Sequence, residues 1–143
     1  MEGFEDVVER FDHISMAVNS LQDMGALMNL LNGRLHDRGV STAGDFEWVQ
    51  YDLPGSGRIE MIATSSKDPQ HFITKFINTR GEGLHHITFK VSSIEAARLR
   101  AESLGFQVVG LNTTDPTWGE LFIHPKSAHG VLIQFAEFQE PDV

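Results

Sequence analysis

Phe11-Asp-His-Ile-Ser-Met-Ala-Val18 and Leu84-His-His-Ile-Thr-Phe-Lys-Val91 are two versions of one pattern. In each, His-Ile opens an alternating run that closes on Val, and a small polar pair and a helical pattern follow at once. His86 lies 73 residues after His13, and the same offset carries Val18 onto Val91, Ser20 onto Ser93, Leu21 onto Ile94 and Gly57 onto Gly130. With a slip of one residue, Ile59-Glu60-Met61 falls on Ile133-Gln134-Phe135. The chain therefore reads as a duplication in which each half supplies one histidine and one side-chain oxygen.

Outward from these stretches, the first half reads strand, helix, strand, strand, strand. Side chains alternate across a pleat, so Phe11, His13, Ser15 and Ala17 share a face of the strand over residues 11–18. Asn19 and Ser20 offer caps for one helix through Leu21, Met24, Leu27, Met28 and Leu31, ended by Gly33. Residues 34–44 are polar and hold a short edge strand at best. Residues 46–53 and 58–63 flank the turn formers Pro54-Gly-Ser-Gly57 and predict a hairpin that puts Glu60 on a strand. Pro69 stands near the start of a linking helix whose apolar stripe is Phe72, Phe76 and Ile77. The second half repeats the order, with strands at 84–91, 106–111, 120–124 and 131–138, a helix over 94–104, and a loop around Asp115-Pro-Thr-Trp118. The divisions are an N-terminal extension 1–10, a first βαβββ module 11–64, a helical linker 65–83, a second module 84–138 and a disordered tail 139–143. The fold class is α+β: tandem βαβββ modules forming a cupped mixed sheet, with the candidate ligands converging on one cleft.

Composition narrows the chemistry. With 143 residues and 41% hydrophobic content, the chain can build a core shared by two modules. A net charge of −9 with scattered basic residues excludes the electrostatic footprint of a nucleic-acid binder. The absence of cysteine excludes disulfides, thiolate metal sites and a cysteine nucleophile, so any metal must be held by nitrogen and oxygen. The acidic start is unlike a signal or transit peptide, and no apolar run reaches membrane-spanning length, which predicts a soluble cytoplasmic protein without a membrane partner. Two imidazoles, a carboxylate and an amide oxygen suit one divalent first-row ion per chain, such as Co, Zn, Ni or Mn, with positions left for water or substrate.

The same residues carry a resemblance over nearly the whole chain. The doubled βαβββ order, His13 after an aspartate, Ile59-Glu-Met61, Arg80-Gly-Glu-Gly-Leu-His-His-Ile87 and His124-Pro-Lys-Ser-Ala-His-Gly-Val-Leu-Ile133 resemble the vicinal-oxygen-chelate superfamily, in which the glyoxalase-like fold recurs, and within it the methylmalonyl-CoA epimerases. The resemblance implies metal ligands at His13, Glu60, His86 and Gln134, with His85 turned the other way. It also implies an isomerase that removes and returns the α-proton of an acyl-CoA thioester through a metal-stabilised enediolate, and a homodimer. The last-strand ligand of those epimerases is a glutamate where this chain has Gln134, so the carboxylate of the set stands in the other half. They also carry a catalytic glutamate ahead of the third strand. Here only Asp45 and Glu47 stand near that place. Glu60 is the first candidate for the base, with Asp45 and Glu47 for the opposite side, and Lys126 and Ser127 for the substrate's anionic tail.

Plainer roles compete with these. Buried histidines are more often hydrogen-bonded core residues than ligands, and the repeat is what argues otherwise. His124 is expected to fix a strand end, His36, His71 and His129 to be solvated, and Trp48, Trp118, Phe72 and Phe76 to be core or cleft wall. Two other function classes remain open: another metal-dependent lyase or dioxygenase using two histidines and a carboxylate with iron, and a ligand-binding protein without catalysis.

Overall fold

The computed structural model describes residues 7–140, and the expected extension up to residue 6 and tail from residue 141 lie outside the described residues. The elements in chain order are β1 (Val8–Ala17), a 3-10 turn (Leu21–Met24), α1 (Gly25–Leu30), β2 (Arg34–Val40), β3 (Glu47–Asp52), β4 (Arg58–Ala63), α2 (Phe72–Arg80), β5 (Gly83–Val91), α3 (Ile94–Ser103), β6 (Val108–Asp115), β7 (Trp118–Ile123), a second 3-10 turn (Pro125–Ser127) and β8 (Ile133–Glu137). The architecture is α+β: eight strands in a mixed sheet, four ordered β2-β3-β4-β1 and four ordered β5-β8-β7-β6. No described helix is long and apolar enough to cross a membrane.

Two compact units divide the chain, one spanning His13–His85 and the other formed by the segments on either side of it. In the His13–His85 unit, β1 pairs in parallel with β4, setting Ile14 opposite Ile59, Ser15 opposite Glu60 and Met16 opposite Met61. The β3–β4 hairpin turns at residues 54–57, where Gly55 and Gly57 take positive φ. One sheet face is filled by Met28 of α1 against Val49, Ile59 and Met61, and the other receives Ile73 of α2 against Ala17 and Ile62. Burying side chains such as Met61 and Ile73, both 0% exposed, contributes about 1.5–3 kcal/mol each.

The single helix expected from Leu21 is interrupted. Ser20 accepts a hydrogen bond from the Gln22 N–H and opens a 3-10 turn, and the α-helix proper starts only at Gly25. The α2 stripe also differs from expectation: Phe72 is 43% exposed, whereas Ile73 is fully buried. Pro69 stands outside the helix, and His71 is its N-cap, accepting from the Ile73 N–H.

In the other unit, β5 pairs in parallel with β8 and sets Ile87 opposite Ile133, Thr88 opposite Gln134 and Phe89 opposite Phe135. This is the register of β1 on β4 again, with a hydroxyl opposite a long polar side chain in both. Ser93 caps α3, whose Ile94, Ala97 and Ala101 are buried against the core containing Val91, Leu121 and Ile123. Residues 115–118 are a tight turn rather than a loop, because the Asp115 carboxylate accepts from both the N–H and the hydroxyl of Thr117, and Asp115 pairs with Trp118. β1 starts at Val8, ahead of residue 11. Its charged beginning is held by Glu9 to Lys90 at 2.5 Å, by Arg10 to Asp12 and Glu140, and by the Val7 carbonyl, which accepts from the Ser92 N–H.

Candidate metal centre

Strand alternation brings His13 and Ser15 to the same face of β1, and pairing with β4 brings Glu60 beside Ser15. His13 is 1% exposed, and its Nε2 lies 3.6 Å from Glu60 Oε1. The carboxylate is held from two directions: the Ser15 hydroxyl donates to Oε1 at 2.8 Å and the Gln50 amide donates to Oε2 at 2.8 Å. Both donors fix where its oxygens point.

The second half builds the same arrangement with its polarity exchanged. The Thr88 hydroxyl donates to Gln134 Oε1 at 2.6 Å, and Gln134 Nε2 donates to Glu120 Oε1 at 3.2 Å. Glu120 Oε1 also accepts from the Trp118 indole at 2.8 Å. His86 is buried, its ring edge-on to Phe122 at 6.1 Å between centroids. Phe122 is the direct cross-strand neighbour of Gln134, which leaves Glu120 on the diagonal and within reach of a long side chain.

Within the His13–His85 unit, His13 and Glu60 each offer one ligand atom to an ion. First-row divalent ions hold nitrogen and oxygen ligands at about 2.0–2.2 Å, so two ligands of one ion are at most about 4.4 Å apart. The 3.6 Å between His13 and Glu60 satisfies that limit. The donor chemistry, an imidazole nitrogen beside a carboxylate oxygen, fits a divalent cation.

The remaining candidates lie in other settings. Asp45 is exposed, and its carboxylate accepts from the Ser41 hydroxyl at 2.7 Å and from His71 Nε2 at 2.8 Å; the Ser41 bond, then the His71 bond, hold its pKa below the usual carboxylate range. His71 is thus no solvated residue: its Nδ1 accepts from the backbone, its Nε2 donates to Asp45, and its ring stacks on Phe72. Glu47 alternates away from Trp48 and Gln50 onto the face of β3 opposite to that of Glu60, where it lines an open groove of about 500 Å³ with Leu21, Gln22, Arg38 and Tyr51. Lys126 is exposed, and the Ser127 hydroxyl accepts from the Gln107 N–H, while His124 accepts from the Lys126 N–H and so fixes the strand end. His85 packs its ring against Phe72 and Phe76, and that burial pushes its pKa down against the opposing pull of Glu60. His36 is paired with Asp52 at 3.2 Å, and His129 is exposed.

Four functional neighbours were not singled out from sequence: Ser15 and Gln50 around Glu60, and Thr88 and Glu120 around Gln134. The two hydroxyls were within reach of sequence reasoning, because the 73-residue offset carries Ser15 onto Thr88. Gln50 and Glu120 depend on cross-strand register.

The arrangement of strands and helices is that of a known fold family. The family model for the glyoxalase/bleomycin resistance protein/dioxygenase superfamily matches residues 12–122, and the chain belongs to that superfamily. Among individual proteins, it is 28% identical over 136 residues to the uncharacterized protein YqjC of Bacillus subtilis, covering 91% of this chain and 93% of that one. It is also 28% identical over 145 residues to an ethylmalonyl-CoA/methylmalonyl-CoA epimerase of Cereibacter sphaeroides, covering 92% of this chain and 99% of the relative. The crystal structure of methylmalonyl-CoA epimerase from Mycobacterium tuberculosis is similar at a TM-score of 0.80 and 27% identity, covering 95% of this chain and 92% of that one.

Proposed function

We propose that the protein is a divalent-metal-dependent epimerase acting on the α-carbon of an acyl-CoA thioester. The observation that carries the reading is His13 Nε2 lying 3.6 Å from Glu60 Oε1, in a chain that spans an epimerase relative end to end. His13, His86 and Glu60 would hold the ion, with the amide oxygen of Gln134 as fourth ligand. Bound there, the ion supplies Lewis acidity to the substrate's carbonyl oxygen, which makes the neighbouring α-proton more acidic.

The chain's own residues do the rest. Ser15 and Gln50 hold the two Glu60 oxygens, so its position is set before substrate arrives. Glu60 is assigned proton removal, and the proton returns from the opposite face through water or a second group. Asp45 is a poor second group, because two hydrogen bonds already stabilise its anion, and Glu47 is poorer still, because it lies on the other face of β3. Lys126, exposed on its 3-10 turn, is the cation assigned to the anionic end of the substrate. A cytoplasmic homodimer with duplicated modules over 11–64 and 84–138 belongs to the same reading, and light scattering of the purified protein tests the dimer.

The test is metal analysis of the purified protein followed by proton exchange. Expected are about one divalent ion per chain and loss of the α-hydrogen of methylmalonyl-CoA to deuterated solvent, both abolished by His13→Ala, with exchange abolished by Glu60→Gln. A metal-loaded protein that exchanges no α-hydrogen overturns the reading. Oxygen consumption by the iron-loaded protein would instead move it to the dioxygenases of the same superfamily.

A further inference from the structure

The two halves carry their carboxylate and amide in opposite places. In the first, the fourth strand bears the carboxylate, Glu60, and the third strand bears the amide, Gln50. In the second, the final strand bears the amide, Gln134, and the strand beside it bears the carboxylate, Glu120. An amide has two unlike ends, and only one of them can serve a cation. Something must decide which end faces which way.

Thr88 cannot decide it. Its hydroxyl either donates or accepts, so it would serve Gln134 in both orientations. Glu120 can, because an ionised carboxylate only accepts. The end of Gln134 that meets Glu120 must be the NH2, and the oxygen is thereby turned to the opposite end. The Trp118 indole, a donor only, holds the same Glu120 oxygen and so keeps the carboxylate in place.

We propose that Glu120 is the positioning residue that presents the Gln134 oxygen for a divalent cation, and so allows an amide to stand on the last strand. This rests on the metal-site reading above and deepens it. Glu120 touches no substrate in this account and acts only through Gln134.

The experiment measures cobalt affinity of the metal-free full-length protein by absorption, with urea unfolding of the same metal-free samples as a check on folding. Glu120→Gln, which is close in shape and also offers a donor to Gln134, is expected to weaken cobalt binding by about ten-fold or more, the range seen when a ligand loses its orienting partner. In a Gln134→Ala background there is no amide to orient, so adding Glu120→Gln is expected to change affinity less than two-fold. That non-additivity is a signature that a general loss of stability would not produce. Equal cobalt affinity in wild type and Glu120→Gln overturns the inference while leaving the metal site standing, as does an equal loss in both backgrounds. A wild-type protein that binds no cobalt overturns the site itself. If Glu120→Gln fails to fold, Trp118→Phe, which removes the indole N–H that anchors Glu120, is expected to weaken cobalt binding in the same direction, and unchanged affinity there refutes the inference.

Discussion

Thr88→Val isolates the hydrogen bond at the centre of the second half. Thr88 is 0% exposed, and its hydroxyl donates to Gln134 Oε1 at 2.6 Å. Valine keeps the shape of threonine and removes the donor, leaving the amide oxygen of a side chain that is 6% exposed without that partner. An unsatisfied buried acceptor costs about 1–3 kcal/mol, and the added methyl group offsets only part of it. For 143 residues the entropy of unfolding is about 0.3 kcal/mol per degree, so the melting temperature should fall by about 3–10 °C. Urea unfolding of the metal-free protein measures the loss, and the double variant with Gln134→Leu, which removes both partners, should recover more than half of it. A loss under about 0.5 kcal/mol, or a double variant whose losses simply add, would refute the reasoning that this pair is a buried, mutually dependent bond.

Two further outcomes follow from the packing and the charges. Met61→Ala removes a fully buried side chain from beneath α1 and should cost about 2–5 kcal/mol in urea unfolding, with no change in the slope of the transition. Asp45 has a folded pKa below its unfolded value, so its stabilisation is complete above the ordinary carboxylate pKa and disappears as pH falls through the folded value. The difference in unfolding midpoint between wild type and Asp45→Asn should therefore be largest above about pH 5 and shrink as pH falls below the ordinary carboxylate pKa. A difference that does not shrink on acidification would contradict the Ser41 and His71 bonds as its source.

What sequence disclosed, and what it hid, divides along physical lines. The strands that carry His13, Glu60, His86 and Gln134 were visible as the repeat, because alternation and spacing are properties of one strand at a time; the parallel pairing of β1 with β4 and of β5 with β8 was not. The break at Gly25 was not, since Leu21, Met24, Leu27, Met28 and Leu31 keep helical spacing across it; the Ser20 cap and Gly25 together set the boundary. Ile73 rather than Phe72 fills the α2 contact because the rotation of a short helix is set by what lies beneath it, not by which apolar residue is larger. The start of β1 was hidden because Glu9 and Arg10 look solvated until Lys90, Asp12 and Glu140 come beside them. Around the candidate ligands, Glu60 and Gln134 were readable as equivalent positions of the repeat, but Gln50 and Glu120 meet their partners only through antiparallel registers that no local pattern reveals.

The parallel pairing of Ser15 with Glu60, residues 45 positions apart, has a kinetic consequence. Closing so large a loop requires the helix and the β3–β4 hairpin between them to be accommodated first, whereas that hairpin needs only a short turn. His13 and Glu60 therefore meet late in folding, after most of the surface is committed. A cation that binds only the finished site would leave the refolding rate nearly untouched and act almost entirely by slowing unfolding.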